Sequence, residues 1–198
     1  MQLEDAIKKF KEFLKSTSAF DVESFNLALP FFEIRTLKKG EYFVEVDKTC
    51  RHFAFVVSGL MRAFSYEGND ETTTCLCNEN TIASSTVSFI TQTPSDISIQ
   101  ALSDVMLLTI SHAHLQELYS KSAYWQKVGR IVAEIEFMSD RQTSWRNSSL
   151  PAMEKYLVLL KENPGIVNRV PLQYIASYLG IKPETLSRIR KKIATRIS

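Results

Sequence analysis

The sequence predicts an α+β protein in which a β-rich N-terminal half is joined by one long helix to an all-helical C-terminal end. Three observations carry this prediction. Short runs of β-branched and aromatic residues follow one another between residues 31 and 110, which indicates a sandwich or a barrel-like roll. Apolar residues then recur at heptad spacing over residues 123–148. Two short helical patterns finally flank Gly180 near the C-terminus.

The N-terminal half begins with an amphipathic helix, predicted over residues 2–15 from the helical spacing of Leu3, Ile7, Phe10 and Leu14. Seven β-like runs follow, separated by turn-forming Gly, Asn, Asp and Pro residues. The runs are FFEIRTL, EYFVEV, HFAFVVS, LMRAFSY, TTTCLC, ISIQAL and VMLLTI. The Ser- and Thr-rich stretch at residues 84–88 is interpreted as further strand.

The long helical pattern carries more apolar surface than one chain needs. Its main seam has alternating spacings of four and three and consists of Tyr124, Val128, Ile131, Ile135, Met138, Gln142 and Trp145. A second apolar face carries Trp125, Val132 and Phe137. Two stripes predict a parallel dimer through Val128, Ile131, Ile135 and Met138, and a core helix within one chain is the alternative. The pattern breaks at residues 147–151, which we interpret as a hinge.

The C-terminal end fits a helix-turn-helix. Ile175 and Ala176 lie on one side of the first helical pattern, and the small Ala176 lets a second helix cross closely. Gly180 allows a tight turn, and Pro183 suits the first position of the next helix. Since such a motif places its second helix in the DNA major groove, the segment predicts binding to duplex DNA.

Charge supports this prediction. Residues 152–198 carry nine Lys or Arg and three acidic residues, whereas residues 1–151 carry 15 and 19. A basic end is what neutralisation of DNA phosphates requires. The remaining composition is that of a globular protein, without an apolar run long enough for a membrane span and without a signal peptide at its start. The sequence therefore predicts a cytoplasmic protein with no membrane partner.

Three cysteines, at positions 50, 75 and 77, agree with a reducing compartment. Cys75 and Cys77 fall on the same face of a predicted strand. They could be two small buried apolar residues, or a metal or redox pair. An iron–sulfur cluster usually needs four thiolates, and the chain has three.

The order of β roll, long helix, hinge and basic helix-turn-helix resembles the Crp/Fnr family of bacterial transcription regulators over nearly the whole chain. The motifs that carry the resemblance are IASYLGIKPETLSRIR, LKKGEYF around Gly40 and FAFVVSGLMRAF around Gly59. It implies a double-stranded β-helix or jelly-roll sensor domain at residues 1–120, a dimerisation helix at 121–148, and a winged-helix-like DNA-binding domain at 149–198. The implied function is a dimeric, sequence-specific transcription regulator.

The resemblance also places the residues that read DNA. The family's Arg, Glu and Arg fall on Pro183, Glu184 and Arg188. Arg188 can pair with guanine and Glu184 can accept from cytosine, whereas Pro183 has no side-chain donor, so the best-known operator of the family is not expected. An ion pair between Glu184 and Arg188 is compatible with this role. Candidate phosphate contacts are Gln173, Thr185, Ser187, Lys191 and Lys192.

The family's cyclic-nucleotide segment has a Gly-Glu pair and a later Arg, which fall on Ser84, Ser85 and Ser95. No Lys or Arg lies between Glu79 and Asp104, so cyclic AMP is not the expected effector. Candidate contacts for another small-molecule effector are Ser84, Ser85, Thr86 and Ser95. A DNA-binding dimer without any effector is the alternative. RNA polymerase is a further candidate partner, and no cofactor is predicted.

A cupin-like metal site is the remaining alternative, built from His112, His114 and Glu117. Two histidines two residues apart in a helix diverge by about 200°, which disfavours a shared metal. The sequence has no glycine-rich phosphate loop and no nucleophile elbow. We therefore predict no metal ligands, no catalytic residues and no enzymatic activity.

Overall fold

A computed structural model describes residues 2–17, 20–68 and 70–197. Its helices are α1 (Gln2–Thr17), α2 (Val22–Ala28), α3 (Thr86–Thr91), α4 (His112–Lys121), α5 (Ala123–Ser149), α6 (Ala152–Glu162), α7 (Pro164–Arg169), α8 (Leu172–Tyr178) and α9 (Pro183–Ile197), with a 3₁₀ turn at Leu29–Phe31. Its strands are β1 (Glu33–Leu37), β2 (Tyr42–Val44), β3 (His52–Ser58), β4 (Met61–Glu67), β5 (Asp70–Cys77), β6 (Ile82–Ala83), β7 (Ser98–Ala101) and β8 (Val105–Ser111).

The strands form two four-stranded antiparallel sheets, with orders β1-β8-β3-β6 and β2-β7-β4-β5. Apart from the hairpin of β4 and β5, neighbouring strands in both sheets come from distant parts of the sequence, as expected for a jelly roll. The predicted α+β fold with an N-terminal jelly roll is confirmed. β5 lies at the edge of its sheet.

Helix α1 covers one sheet of the roll. Its Phe10 ring lies 5.2 Å from that of Phe55 in β3, and Ala6 and Leu14 are fully buried on the same side. Strand β3 is consequently buried on both faces, which explains why its four central residues are all apolar. The predicted N-terminal helix is thus present, extending two residues beyond the expected end at residue 15.

Helix α5 behaves differently along its length. Its first half packs on its own chain: Trp125, Val128 and Val132 are buried with the roll and α1, and the Trp125 indole N–H donates to the Ser24 carbonyl at 2.7 Å. The assignment of Val128 to a partner interface is therefore wrong, because the chain's own core already covers this side chain. Ile131 is half-buried at the border.

The second half of α5 leaves the roll and exposes large apolar side chains. Ile135, Met138 and Trp145 of the predicted seam are 40%, 53% and 59% exposed, and Phe137 is 66% exposed. The heptad pattern therefore serves two purposes: its first residues complete the core of one chain, and its last residues remain unpartnered.

The Ser- and Thr-rich stretch was wrongly expected to be strand, since residues 86–91 form helix α3. Ser88 and Phe89 face inwards, whereas Val87 and Ile90 are 68% and 64% exposed, which is a helical rather than an alternating pattern. Six residues are too few for a helical period to show clearly in the sequence. Helices α2 and α7 and strand β6 are also too short for a period to show, and the sequence did not predict them.

No helix in the described ranges is both long enough and apolar enough to cross a membrane.

Gly59 lies where two segments of backbone approach each other closely. It has φ +99°, and a Cβ there would lie 2.4 Å from the Asp104 carbonyl oxygen and 2.9 Å from the Val105 Cα. Gly40 has a similar φ of +91° but open space around it. A side chain at Gly40 would therefore meet backbone strain alone, whereas one at Gly59 would meet strain and steric overlap.

We expect Gly40→Ala to lower the free energy of unfolding by about 1–3 kcal/mol through strain alone. Gly59→Ala should cost about 1–3 kcal/mol more, because overlap with backbone atoms adds to the same strain. Urea titrations of the two variants measure the difference. Equal losses would contradict the close approach at Gly59.

Candidate nucleic-acid interface

Helices α8 and α9 are joined by a tight turn at Gly180, which two backbone hydrogen bonds close. Gly180 has φ +63°, its N–H donates to the Ser177 carbonyl at 2.9 Å, and the Ile181 N–H donates to the Ala176 carbonyl at 3.0 Å. These two bonds form a Schellman motif, which needs a left-handed residue at the glycine position. The turn that the sequence predicted is thus closed by backbone hydrogen bonds.

The two helices share a small core. Ile175, Ala176 and Leu186 are fully buried, and Leu179 and Ile189 are nearly so. Because the buried residues occupy one stripe of α9, its opposite side faces away from the core. The apolar positions that predicted a helix-turn-helix therefore do meet, and they orient α9.

The outward side of α9 carries the residues predicted to read bases. Glu184 and Arg188 are both exposed and stand one turn apart, and Nη2 of Arg188 lies 3.4 Å from the Thr185 hydroxyl. Of the candidate phosphate contacts, Gln173, Lys191 and Lys192 are exposed, whereas Thr185 and Ser187 are half-buried.

Sequence reasoning missed Lys182 as a candidate contact. It is exposed immediately before α9, and its carbonyl accepts from Thr185 N–H at 3.0 Å, so it stands at the N-terminus of the helix. A lysine one residue before Pro183 was the available signal, since helix N-termini attract phosphate.

The helix-turn-helix is docked on the β roll through α8. The Thr73 N–H of β5 donates to the Ser177 hydroxyl at 2.8 Å. Leu60 and Leu76 of the roll are buried in the same apolar cluster as Ile175 and Leu186. The roll and the C-terminal helices therefore share one continuous core at this contact.

Arg62 of β4 lies at the centre of this contact and is only 2% exposed. Its guanidinium carbon is 4.0 Å from the Phe64 ring centroid and 3.8 Å from that of Tyr174 in α8. Nη2 also lies 2.5 Å from a Glu71 carboxylate oxygen and 3.1 Å from Oε1 of Gln100. The buried charge is thus paired with a carboxylate and stacked between two aromatic faces, one from each part of the chain.

The end of α5 is tied to the same unit. Lys155 is buried, and its ammonium donates to the carbonyls of Asn147, at 2.7 Å, and Leu179, at 3.2 Å. The Asn147 amide donates to the Tyr178 carbonyl at 2.9 Å. The break in helix is narrower than the predicted hinge at 147–151, because α5 continues to Ser149 and only Leu150 and Pro151 lie outside a helix.

The serines assigned to an effector pocket are only partly brought together. Ser85 and Ser95 are buried, and their hydroxyl oxygens lie 2.8 Å apart. The Ser84 hydroxyl instead lies 3.6 Å from the Cys50 sulfur, and the Thr86 hydroxyl donates to the Glu136 carboxylate of α5 at 2.8 Å. The hydroxyls of the four residues thus bind groups of the chain itself, at three different places.

Known proteins share this architecture. Residues 34–122 match the family model of the cyclic nucleotide-binding domain. Among solved structures, FixK2 from Bradyrhizobium japonicum superposes with a TM-score of 0.74 at 14% identity, over 83% of this chain and 85% of that one. The chain has the Crp/Fnr fold. The resemblance found in the sequence is thereby confirmed.

Two further structures agree. The c-di-GMP-responsive regulator CLP from Xanthomonas campestris gives a TM-score of 0.69 at 16% identity, covering 89% of this chain and 93% of its own. A Crp/Fnr family regulator from Eubacterium rectale gives 0.70 at 16% identity, covering 93% and 88%. No curated protein matches the sequence significantly.

The histidines of the cupin alternative do not converge. His112 packs edge-on against Phe89, and His114 packs against Phe31. Glu117 pairs with Lys121 at 2.5 Å. In the parts of the chain that the structure describes, no three His, Cys, Asp or Glu side chains are placed to hold a metal ion.

A cavity of about 370 Å³ lies outside the roll, between α3, α4 and α5. Its lining is mixed aromatic and polar and includes Phe89, Ile90, His112, Tyr119, Gln126 and Arg130. None of the four residues assigned to the effector pocket lines it, so this space was not indicated by the sequence.

An ion pair connects the roll to the C-terminal helices. Both guanidinium nitrogens of Arg169 donate to the Glu79 carboxylate, at 2.8 and 2.7 Å, and Gly59 N–H donates to it at 3.0 Å. The hydrogen bonds from Arg169 are the main reason that the pKa of Glu79 falls to about 2. The folded protein therefore favours the charged form of the Glu79 carboxyl group more than the unfolded chain does.

Because this pKa is depressed, the pair stabilises the fold above the ordinary glutamate pKa, and the stabilisation disappears as pH falls from about 4.5 towards 2. We expect Glu79→Gln to lower the free energy of unfolding at neutral pH by about 1 kcal/mol, allowing for solvent screening of a partly exposed pair. The variant should differ less from the unsubstituted protein as the pH approaches 2.

Thermal unfolding across this pH range tests the expectation, with Glu67→Gln at the exposed end of β4 as the matched control. A difference between Glu79→Gln and the parent that does not change with pH would argue against the ion pair.

Proposed function

We propose that the chain is a dimeric, sequence-specific DNA-binding regulator of transcription, acting in the cytoplasm. The observation that carries the proposal is the outward side of α9, where Glu184 and Arg188 are exposed on a helix that a buried core and a Schellman turn hold in place. An arginine and a glutamate one turn apart can read a guanine and a cytosine in the major groove. Pro183 cannot read a base by hydrogen bonding, which changes the expected operator.

Phosphate contacts would position this helix. Gln173, Lys191 and Lys192 are exposed, and Lys182 adds a charge at the helix N-terminus. Thr185 and Ser187 offer hydroxyls beside them. Since phosphate contacts carry no sequence information, they set affinity and orientation, whereas Glu184 and Arg188 set specificity.

A second copy of the chain is the proposed partner of α5. The exposed residues Ile135, Met138 and Trp145 belong to one heptad seam, and Ile131 borders it. Pairing through the second half of α5 would present two copies of α9 to half-sites one helical turn apart, about 34 Å. Such a dimer favours a near-palindromic operator.

The proposed effector, if the regulator has one, is not cyclic AMP. Ser85 and Ser95 occupy the positions that the family resemblance assigns to nucleotide contacts, and they hydrogen-bond each other without a nearby Lys or Arg in residues 80–103. This segment therefore offers a cyclic phosphate no cation of its own. A dimer that binds DNA without any effector remains the alternative, and RNA polymerase is a further candidate partner.

Selection of bound duplexes from a random pool tests the central proposal and yields the operator. On the selected site, Arg188→Ala should weaken binding by about 1–3 kcal/mol and relax the preference at one base pair, because a bidentate contact is lost. Lys192→Ala is the matched control on the same helix, and it should weaken binding to all duplexes alike and reduce the salt dependence by about one ion.

Failure of the unsubstituted protein to bind any duplex at low salt would overturn the proposed function. An unchanged sequence preference in Arg188→Ala would remove that residue from base reading. The same titrations should give the same Kd with and without cyclic AMP, and a marked change would contradict our assignment of the serine region.

Dimerisation has its own test. We expect Met138→Glu together with Ile135→Glu to give monomers in light scattering, since four charges would be buried in the paired seam. Leu157→Glu in α6, at a residue 45% exposed outside the seam, is the matched control and should remain dimeric. A dimer that persists in the double variant would show that the second half of α5 is not the interface.

A further inference from the structure

Two cysteine thiols meet on the edge strand β5. Cys75 and Cys77, two residues apart, point to the same face of the strand, and their sulfurs lie 3.6 Å apart. Cys75 is exposed, whereas Cys77 is only 4% exposed. One thiol is therefore accessible to reagents in solution, and a second, protected thiol stands beside it.

The pair has the asymmetry of an attacking and a resolving thiol. The hydrogen bond with Cys77 lowers the pKa of Cys75, and the same bond together with burial raises the pKa of Cys77. A thiolate is the nucleophile in thiol oxidation, and a neighbouring thiol is what converts its first product into a disulfide. Cys50 lacks this arrangement, since it is 2% exposed and its sulfur lies 3.3 Å from the His52 carbonyl.

The dithiol lies on the side of α5 that faces α8. Glu136 and Asp140 are the charged groups of α5 close enough to influence Cys75, and Thr143 and Asn147, further along the same side, hydrogen-bond Tyr178. Helical geometry puts this side roughly opposite the seam of Ile135 and Met138. Dimerisation through that seam would therefore leave Cys75 accessible.

The residue between the two cysteines belongs to the domain contact. Leu76 is buried in the apolar cluster of the C-terminal helices, together with Ile175 and Leu186. Its partner across the ladder is Arg62, the cation that stacks on Tyr174. A change in the strand at Leu76 would thus act directly on the residues that hold α8 against the roll.

We propose that Cys75 and Cys77 form an oxidation site for hydroperoxides, and that their intrachain disulfide loosens the docking of α8 on β5. The Cys75 thiolate attacks one peroxide oxygen, the O–O bond breaks, and the leaving oxygen takes a proton to depart as water or alcohol. Cys75 becomes a sulfenic acid. The Cys77 sulfur then attacks the Cys75 sulfur, and the hydroxyl leaves with the Cys77 proton as water. Two thiols are oxidised to one disulfide as one peroxide is reduced.

The disulfide would bend the strand. Two residues on one face of a strand are separated by about 6.6 Å along the strand, because each residue adds about 3.3 Å. The two Cβ atoms of a disulfide lie only about 3.8 Å apart. Closing the bond must therefore shorten β5 around Leu76. Because β5 is an edge strand, it can bend without breaking a ladder on its outer side.

The first measurement is the chemistry itself. After treatment with hydrogen peroxide, intact-mass and peptide analysis should show one intrachain disulfide between residues 75 and 77, reversed by dithiothreitol. Cys50→Ser should behave in the same way, Cys77→Ser should stop at a sulfenic acid that dimedone traps, and Cys75→Ser should form neither product. Two free thiols after treatment, or a disulfide between chains, would overturn the proposal.

The second measurement is hydrogen exchange on the protein alone, so its result does not depend on DNA binding. The Thr73 amide, which donates to Ser177, should exchange on the order of tenfold faster in the oxidised protein, together with the backbone of α8. Peroxide-treated Cys75→Ser is the control for oxidation elsewhere and should be unchanged. A disulfide that forms without altering this exchange would overturn the proposed loosening.

Discussion

The stacking of Arg62 between Phe64 and Tyr174 joins the two parts of this molecule. One aromatic ring belongs to the roll and the other to α8, and the guanidinium between them is buried and paired with Glu71. Removing either partner of a buried charge is far more costly than losing a surface contact, so the arrangement fixes how the C-terminal helices sit on β4 and β5. The apolar cluster around Leu60 and Leu76 fills the remaining space and makes the contact one continuous core.

This contact determines what each helix of the C-terminal end can do. α8 is turned towards the roll, where Ser177 accepts from the Thr73 amide, so it cannot also lie in a DNA groove. α9 crosses it at the Gly180 turn and keeps Glu184 and Arg188 in solvent. α5 ends against the same unit through Lys155 and Asn147. The roll, α5 and β5 are therefore each connected to the helix-turn-helix through direct contacts.

Within the roll, polar groups that the family resemblance associates with a ligand are used internally. Ser85 and Ser95 hydrogen-bond each other, and Thr86 binds Glu136, whose pKa burial raises. A cavity of about 370 Å³ lies instead beside α3, α4 and α5. The same β5 strand that contacts α8 carries the two neighbouring thiols. The cavity beside α5 and the thiols of β5 thus both lie outside the pocket expected from the resemblance.

The sequence by itself determined the helix-turn-helix, the roll and the long helix, because these depend on local periods and on a glycine that must adopt positive φ. It could not determine α3, which is too short to show a period, nor the burial of Val128, whose spacing suits a seam and a core equally well. Arg62 and Tyr174 contact each other although they are 112 positions apart in the sequence, so no local sequence pattern predicts this contact. Only the tertiary structure decides which side chains meet across such separations, because burial and pairing depend on the shape of the whole chain.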